Sequence, residues 1–244
     1  MNYLQAEHLK HKRTFVRKLL LLLPLITVLI SFLSPHWFQL NSYNWWYILL
    51  CPGFLTLLCS LVERRDNDKL KYQTAILLPI SLSRFWLSKI GIAAIYYFLG
   101  NIIFLCLNLV GGFFFGLTYG LPLTISVGNA VAGTACIVLV NLWEIPLCLW
   151  ISGKFGMFVT VLLNCGIGSI LGILMSDTYF WILCPYSWVP RLMISVLGIM
   201  PNGLPVSVEN QGEPILMIWI TILISLSLFL FLSIVTAKYF EKRR

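Results

Sequence analysis

Apolar residues fall into six blocks along the chain: Leu19–Phe38, Tyr43–Val62, Ile90–Leu117, Val127–Ile151, Met157–Met175 and Ile215–Ala237. A helix of about 20 apolar residues, rising about 1.5 Å each, crosses a hydrocarbon core about 30 Å thick. Each block therefore predicts a transmembrane helix. A lipid-facing barrel would need alternating polarity, which these blocks lack, and a membrane tolerates no unpaired backbone in its core. The predicted fold is an all-α integral membrane protein, a single six-span transmembrane domain over residues 1–244.

Composition agrees with the pattern. The 244 residues are 59% hydrophobic and 11% charged, against about 25% charged in soluble domains. Polar intervals add an orientation. Sixteen of the seventeen Lys and Arg lie before residue 19, within 63–89, in the 152–156 turn or after residue 237, and Arg191 alone lies on the opposite side. The positive-inside rule then places both termini and the 63–89 interval in the cytoplasm. Topology accounts for the net charge of +8, so no nucleic-acid partner is expected. The first block is longer than a signal-peptide core, contains Pro24, and runs into Ser34-Pro35-His36-Trp37 without a small-residue cleavage site, which predicts a retained span. Seven cysteines lie in or beside the blocks with no C-x-x-C spacing, and read as buried thiols.

The interval 63–89 is both basic and apolar. It holds six Lys and Arg together with Leu70, Tyr72, Ile76, Leu77, Leu78, Ile80, Leu82, Phe85, Trp86 and Leu87. Such a segment lies on a membrane surface or buries its apolar side against another protein, and the expectation here is docking. Tyr72, Ile76, Leu82, Phe85 and Trp86 recur at helical spacing, and Pro79 divides the run into two arms, since its ring clashes with continued helix. Residues 1–18 suit either a short interfacial helix or a basic flank. Flanking a short outer loop expected at about Ser34–Ser42, Trp37, Trp45 and Trp46 read as an interfacial aromatic belt or as a lip touching an amphipathic substrate. Gly112, Gly116 and Gly120, with Gly168 and Gly172, have the spacing of closely packed membrane helices. Glu144, close to Asn141 and Pro146, is the one acidic residue within any block. A charge there costs about 2.5–3.5 kcal/mol at the membrane centre and needs a protein or water partner. It reads as a polar element of a pathway or interface, or as a structural hydrogen-bonding residue. Between the last two blocks, Val189–Met200 suits a re-entrant or interfacial helix that begins near Pro190 and ends at Pro201-Asn202-Gly203.

No phosphate-cradling G-x-x-x-x-G-K-[ST], H-E-x-x-H or G-x-S-x-G motif occurs. The chain is expected to be a non-catalytic membrane subunit with no cofactor and no metal. Its layout resembles the permease subunits of type-2 ABC exporters. The opening Ala6-Glu7-His8-Leu9-Lys10-His11-Lys12-Arg13 is similar to the entry segment of those subunits. Thr74 through Leu77-Leu78-Pro79, with Ser83, Trp86 and Lys89, is similar to their coupling segment. Tyr43-Asn44-Trp45-Trp46-Tyr47 followed by Pro52-Gly53 resembles the lantibiotic self-protection exporters, with an opening more like the E-type than the G-type permease.

That resemblance implies a permease of the bacterial cytoplasmic membrane that expels a lantibiotic or bacteriocin-type peptide. Its partners would be a separate cytoplasmic ATPase in two copies, a second permease (paralogous or identical), the peptide, and membrane lipid. It also implies ATPase coupling through Tyr72, Thr74, Ile76, Leu77, Leu78, Pro79, Phe85, Trp86 and Lys89. Export of another amphipathic drug or lipid is the alternative within the class. A secondary transporter or a scaffold without an ATPase is the alternative outside it, although no half-to-half similarity of the kind secondary transporters show is visible.

Overall fold

A computed structural model describes residues 3–12, 14–67, 72, 81–120, 122–206 and 212–242. The described residues are helical almost throughout, with an isolated bridge between Ile199 and Pro205 as their one β feature. Four segments are long and apolar enough to cross a membrane: Pro35–Arg64, Leu82–Tyr119, Met157–Ser176 and Ile215–Glu241. Two bent pairs, Tyr3–Lys10 with Phe15–Ser31 and Val127–Asn141 with Glu144–Phe155, raise the number to six if each counts as one span. The described residues thus form a mostly helical protein with helices suited to membrane insertion.

Helix α1 (Tyr3–Lys10) meets α2 (Phe15–Ser31) at 73°. It lies against the start of the helix Leu82–Tyr119 (α5), so residues 3–10 form a packed helix and not a bare basic flank. The first span ends earlier than predicted. Ser34 precedes proline, which disfavours helical backbone, and Pro35 opens a short 3-10 turn. Phe38 therefore belongs to the next limb, α3 (Phe38–Trp45), which passes through a π-helical turn (Trp46–Leu50) into α4 (Cys51–Asn67). Pro52 supplies a cause for that turn: it lacks an N–H and its ring crowds the carbonyl four residues back, at Ile48. Gln39 and Ser42, expected in the Ser34–Ser42 loop, and Tyr43 beside it work inside the bundle instead. Asn108 Nδ2 donates to Ser42 Oγ at 2.5 Å, Gln39 Oε1 accepts from Ile125 N–H at 3.1 Å, and Tyr43 OH donates to the Ala130 carbonyl at 2.8 Å.

Helix α5 (Leu82–Tyr119) is the spine, 38 residues long. At about 1.5 Å per residue it spans roughly 57 Å, nearly twice a hydrocarbon core. It begins two turns before the predicted Ile90, with Ser81 Oγ accepting from Arg84 N–H as its N-cap. Helices α1, α2, α4, α6 (Val127–Asn141) and α11 (Ile215–Glu241) all pack on it.

Helix α6 breaks at Leu142–Trp143 and resumes at 46° as α7 (Glu144–Phe155). Pro146 explains the break, because its ring would strike the Leu142 carbonyl of a continuous helix. α7 packs along α4. After the turn at Gly156, α8 (Met157–Thr160), a π-helical stretch (Val161–Gly168) and α9 (Ser169–Ser176) complete one limb. The helix predicted at Val189–Met200 is α10 (Trp188–Leu197). It ends earlier than Pro201, at Gly198, which takes the left-handed φ of +67°. Leu192 and Met193 are fully buried and α10 packs on α6, so it is a member of the bundle.

Glycine packing differs in detail from the predicted stripes. Gly100 and Gly111 receive the rings of Phe54 and Phe38, while Gly112 meets Gln39 and Leu123. Gly168 and Gly172 face Tyr186 and not another long helix. A methyl at Gly172 would sit 2.6 Å from the Tyr186 carbonyl oxygen, a backbone atom that cannot swing aside. Gly172→Ala is expected to cost about 1–3 kcal/mol. Gly128→Ala, with nothing within 4 Å, is expected to be neutral or stabilising by up to about 1 kcal/mol. Thermal unfolding of the two variants in one detergent checks the contrast.

Candidate functional site

Helix α1, the end of α11, Glu63 on α4, Tyr72 and Gly153 on α7 gather at one end of the bundle, around Lys89. Its ammonium is fully buried. Nζ donates to Glu63 Oε2 at 3.2 Å and to Tyr72 OH at 3.4 Å, and lies 4.7 Å from the Tyr72 ring centre and 5.4 Å from that of Phe85. Carboxylate and aromatic faces together replace the water that a buried cation loses. Gly153 on α7 permits the approach, since a side chain there would collide with Glu63.

Phe240, near the end of α11, closes the group from the other side. It makes an edge contact with Tyr72 at 4.8 Å and stacks on Trp86 at 4.7 Å. Trp86 Nε1 donates to Thr236 Oγ1 at 3.0 Å, and Ser83 Oγ donates to Glu241 Oε2 at 2.7 Å. From α1, Lys10 lies 4.8 Å above the Phe85 ring while paired with Glu7 at 2.6 Å. Tyr72 holds a left-handed backbone with φ +66°, costly for a tyrosine, at the centre of these contacts.

This arrangement corrects part of the sequence reading. Tyr72, Leu82, Phe85, Trp86 and Lys89 were expected on a docking face, but all are buried against the bundle. Helix α4 runs on to Asn67 and α5 begins at Leu82, so the inter-helix segment is shorter than 63–89. Thr74, Ile76, Leu77, Leu78 and Pro79 lie outside the described residues. The aromatic lip is likewise divided. Trp37 and Trp45 are exposed, whereas Trp46 is fully buried, stacked on Phe104 at 4.6 Å with Nε1 donating to Asn101 Oδ1 at 3.0 Å. The cysteines divide too: four are buried, Cys165 and Cys184 are half-buried, and Cys106 is exposed.

A second polar group sits where α6 breaks into α7. Glu144 Oε2 accepts from Asn164 Nδ2 at 2.6 Å, and that nitrogen also donates to Thr56 Oγ1 at 3.1 Å. Tyr186 OH donates to Asn164 Oδ1 at 3.0 Å, its ring seated on Gly168. Glu144 and Asn141 line one cavity of about 20 Å³ with Ser169 and Tyr47, room for about one water. Asn141 Nδ2 donates to Tyr97 OH at 3.4 Å, which in turn donates to the Ile137 carbonyl at 3.3 Å. The sequence had singled out Glu144 and Asn141. Asn164, Thr56, Tyr186 and Asn101 were missed, because their neutral side chains carry no charge to mark them. Asn164 and Asn101 were detectable as amides stranded within apolar blocks.

The carboxylate thus serves as an acceptor for Asn164, which an amide oxygen can also do. Glu144→Gln is expected to retain membrane abundance and lie within about 1 kcal/mol of wild type, whereas Glu144→Leu, which removes one acceptor of the Asn164 amide, is expected to lose about 1–3 kcal/mol. Unfolding midpoints of the two variants measure the difference.

Compared with protein-family models, characterised proteins and solved structures, the chain matches none.

Proposed function

We propose that this chain is a six-span permease subunit of an ABC exporter in a bacterial cytoplasmic membrane, with both termini cytoplasmic. It expels a lantibiotic- or bacteriocin-type amphipathic peptide, with ATP hydrolysed by a separate cytoplasmic ATPase in two copies and a second permease completing the pathway. The observation that most supports this reading is the buried Glu63–Lys89 pair. It ties the last turns of α4 to the first turns of α5, on either side of the segment that resembles a coupling element. A push on residues 73–80 would be carried into both helices together, a rigid-body transmission that packed elements permit. With Tyr72, Phe85 and Trp86 committed to the bundle, docking falls to Ile76, Leu77 and Leu78.

Burying a Leu side chain is worth about 1.5–3 kcal/mol, so Leu77→Glu is expected to lower recovery of the co-purifying ATPase at least about tenfold at equal membrane abundance. Equal recovery, or a wild-type chain that brings down no P-loop ATPase at all, would overturn the proposal.

A further inference from the structure

Helices α1 and α5 enclose an apolar groove that opens at the surface of the bundle. Leu4, Gln5, His8, Leu9, Ile92 and Ile95 line a volume of about 590 Å³, within the range of about 300–1,000 Å³ typical of small-molecule sites. Leu4, Leu9 and Ile95 are exposed, so the groove presents hydrocarbon outward. At its rim the chemistry changes. His8 Nε2 lies 3.2 Å from Arg17 Nη2, and His8 Nδ1 lies 3.1 Å from Tyr96 OH. Arginine can only donate, so Nε2 accepts, and Nδ1–H donates to the tyrosine. The arrangement holds an exposed guanidinium beside an apolar trough.

We propose that this groove binds one anionic phospholipid, with an acyl chain along Leu4, Leu9, Ile92 and Ile95 and the phosphate against Arg17. Charge complementarity selects this occupant. Five Lys and Arg lie within the first eighteen residues against a single acidic residue, Glu7, which is buried and paired with Lys10. Basic pockets beside membrane helices recognise lipid head groups in this way. A second copy of the chain is a poorer occupant, because symmetric pairing would set this basic rim against itself. The inference requires membrane insertion but not the export reading.

Native mass spectrometry of the purified full chain, titrated with phosphatidylglycerol and phosphatidylcholine of identical acyl chains, tests it. Phosphatidylglycerol is expected to bind about fivefold tighter, the ratio that about 1 kcal/mol per surface cation gives. Arg17→Gln should bring the ratio close to one, and Ile95→Trp, which fills the trough, should weaken both lipids. Arg84→Gln, an exposed cation elsewhere on α5, should leave the ratio unchanged. Equal binding of the two lipids to wild type, or discrimination that survives Arg17→Gln, would overturn the proposal. A dimer that resists added lipid and dissociates on Ile95→Trp would assign the groove to a second copy instead. None of these readouts involves the ATPase, so failure here leaves the export reading standing, and the reverse.

Discussion

Lys89→Met is expected to destabilise the protein by about 3–5 kcal/mol, the cost of removing one partner of a buried ion pair. Glu63 is 1% exposed and Lys89 fully buried, so water cannot replace the lost ammonium without opening the α4–α5–α7 junction. Methionine retains most of the side-chain volume, which confines the effect to charge and hydrogen bonding. Glu63→Gln alone should cost less, because the amide oxygen still accepts from Lys89. The double variant Glu63→Gln with Lys89→Met should recover much of the single-variant loss, since it removes both charges together. Denaturant unfolding in detergent, arranged as a double-mutant cycle, gives the coupling. A cycle in which the two effects simply add would show that the pair contributes nothing beyond packing.

Trp46→Ala is expected to lose about 3–5 kcal/mol, the range for truncating a large buried aromatic. The indole stacks on Phe104 and donates a buried hydrogen bond to Asn101, so truncation removes ring contact and a buried donor together. Trp46→Phe should keep the stacking and lose about 1–3 kcal/mol through Asn101. Its neighbour Trp45 is 40% exposed, and Trp45→Ala should change stability by no more than about 1 kcal/mol. Melting temperatures of the three variants discriminate, and a Trp45→Ala loss equal to that of Trp46→Ala would contradict the inward assignment.

Those two adjacent tryptophans show where sequence was informative. Runs of apolar residues located the helices, because length and composition alone decide whether a helix can cross hydrocarbon. They could not say which side of each helix faces protein, since lipid-facing and core-facing positions are both apolar. Trp46 and Trp45 therefore looked equivalent, and only packing on Phe104 separates them. The same limit applies to Lys89, which reads as part of the docking interval because its partners Glu63 and Tyr72 are distant in sequence. Glu144 was legible since a carboxylate within an apolar block needs a partner, while the identity of that partner, twenty residues on at Asn164, depends on the break at Leu142–Trp143. The Gly168/Gly172 spacing was visible, but its use as a seat for Tyr186 was not.

Phe240 has a consequence in time. Tyr72, Trp86 and Lys89 leave the ribosome about 150 residues before the aromatic ring that covers them. At about 5–20 residues per second, that interval lasts roughly 8–30 s. Throughout it the Lys89 nest lacks its outer wall, and Trp86 lacks its acceptor, Thr236. The junction of Glu63, Tyr72, Trp86 and Lys89 is thus sealed only when α11, made long after α4 and α5, arrives.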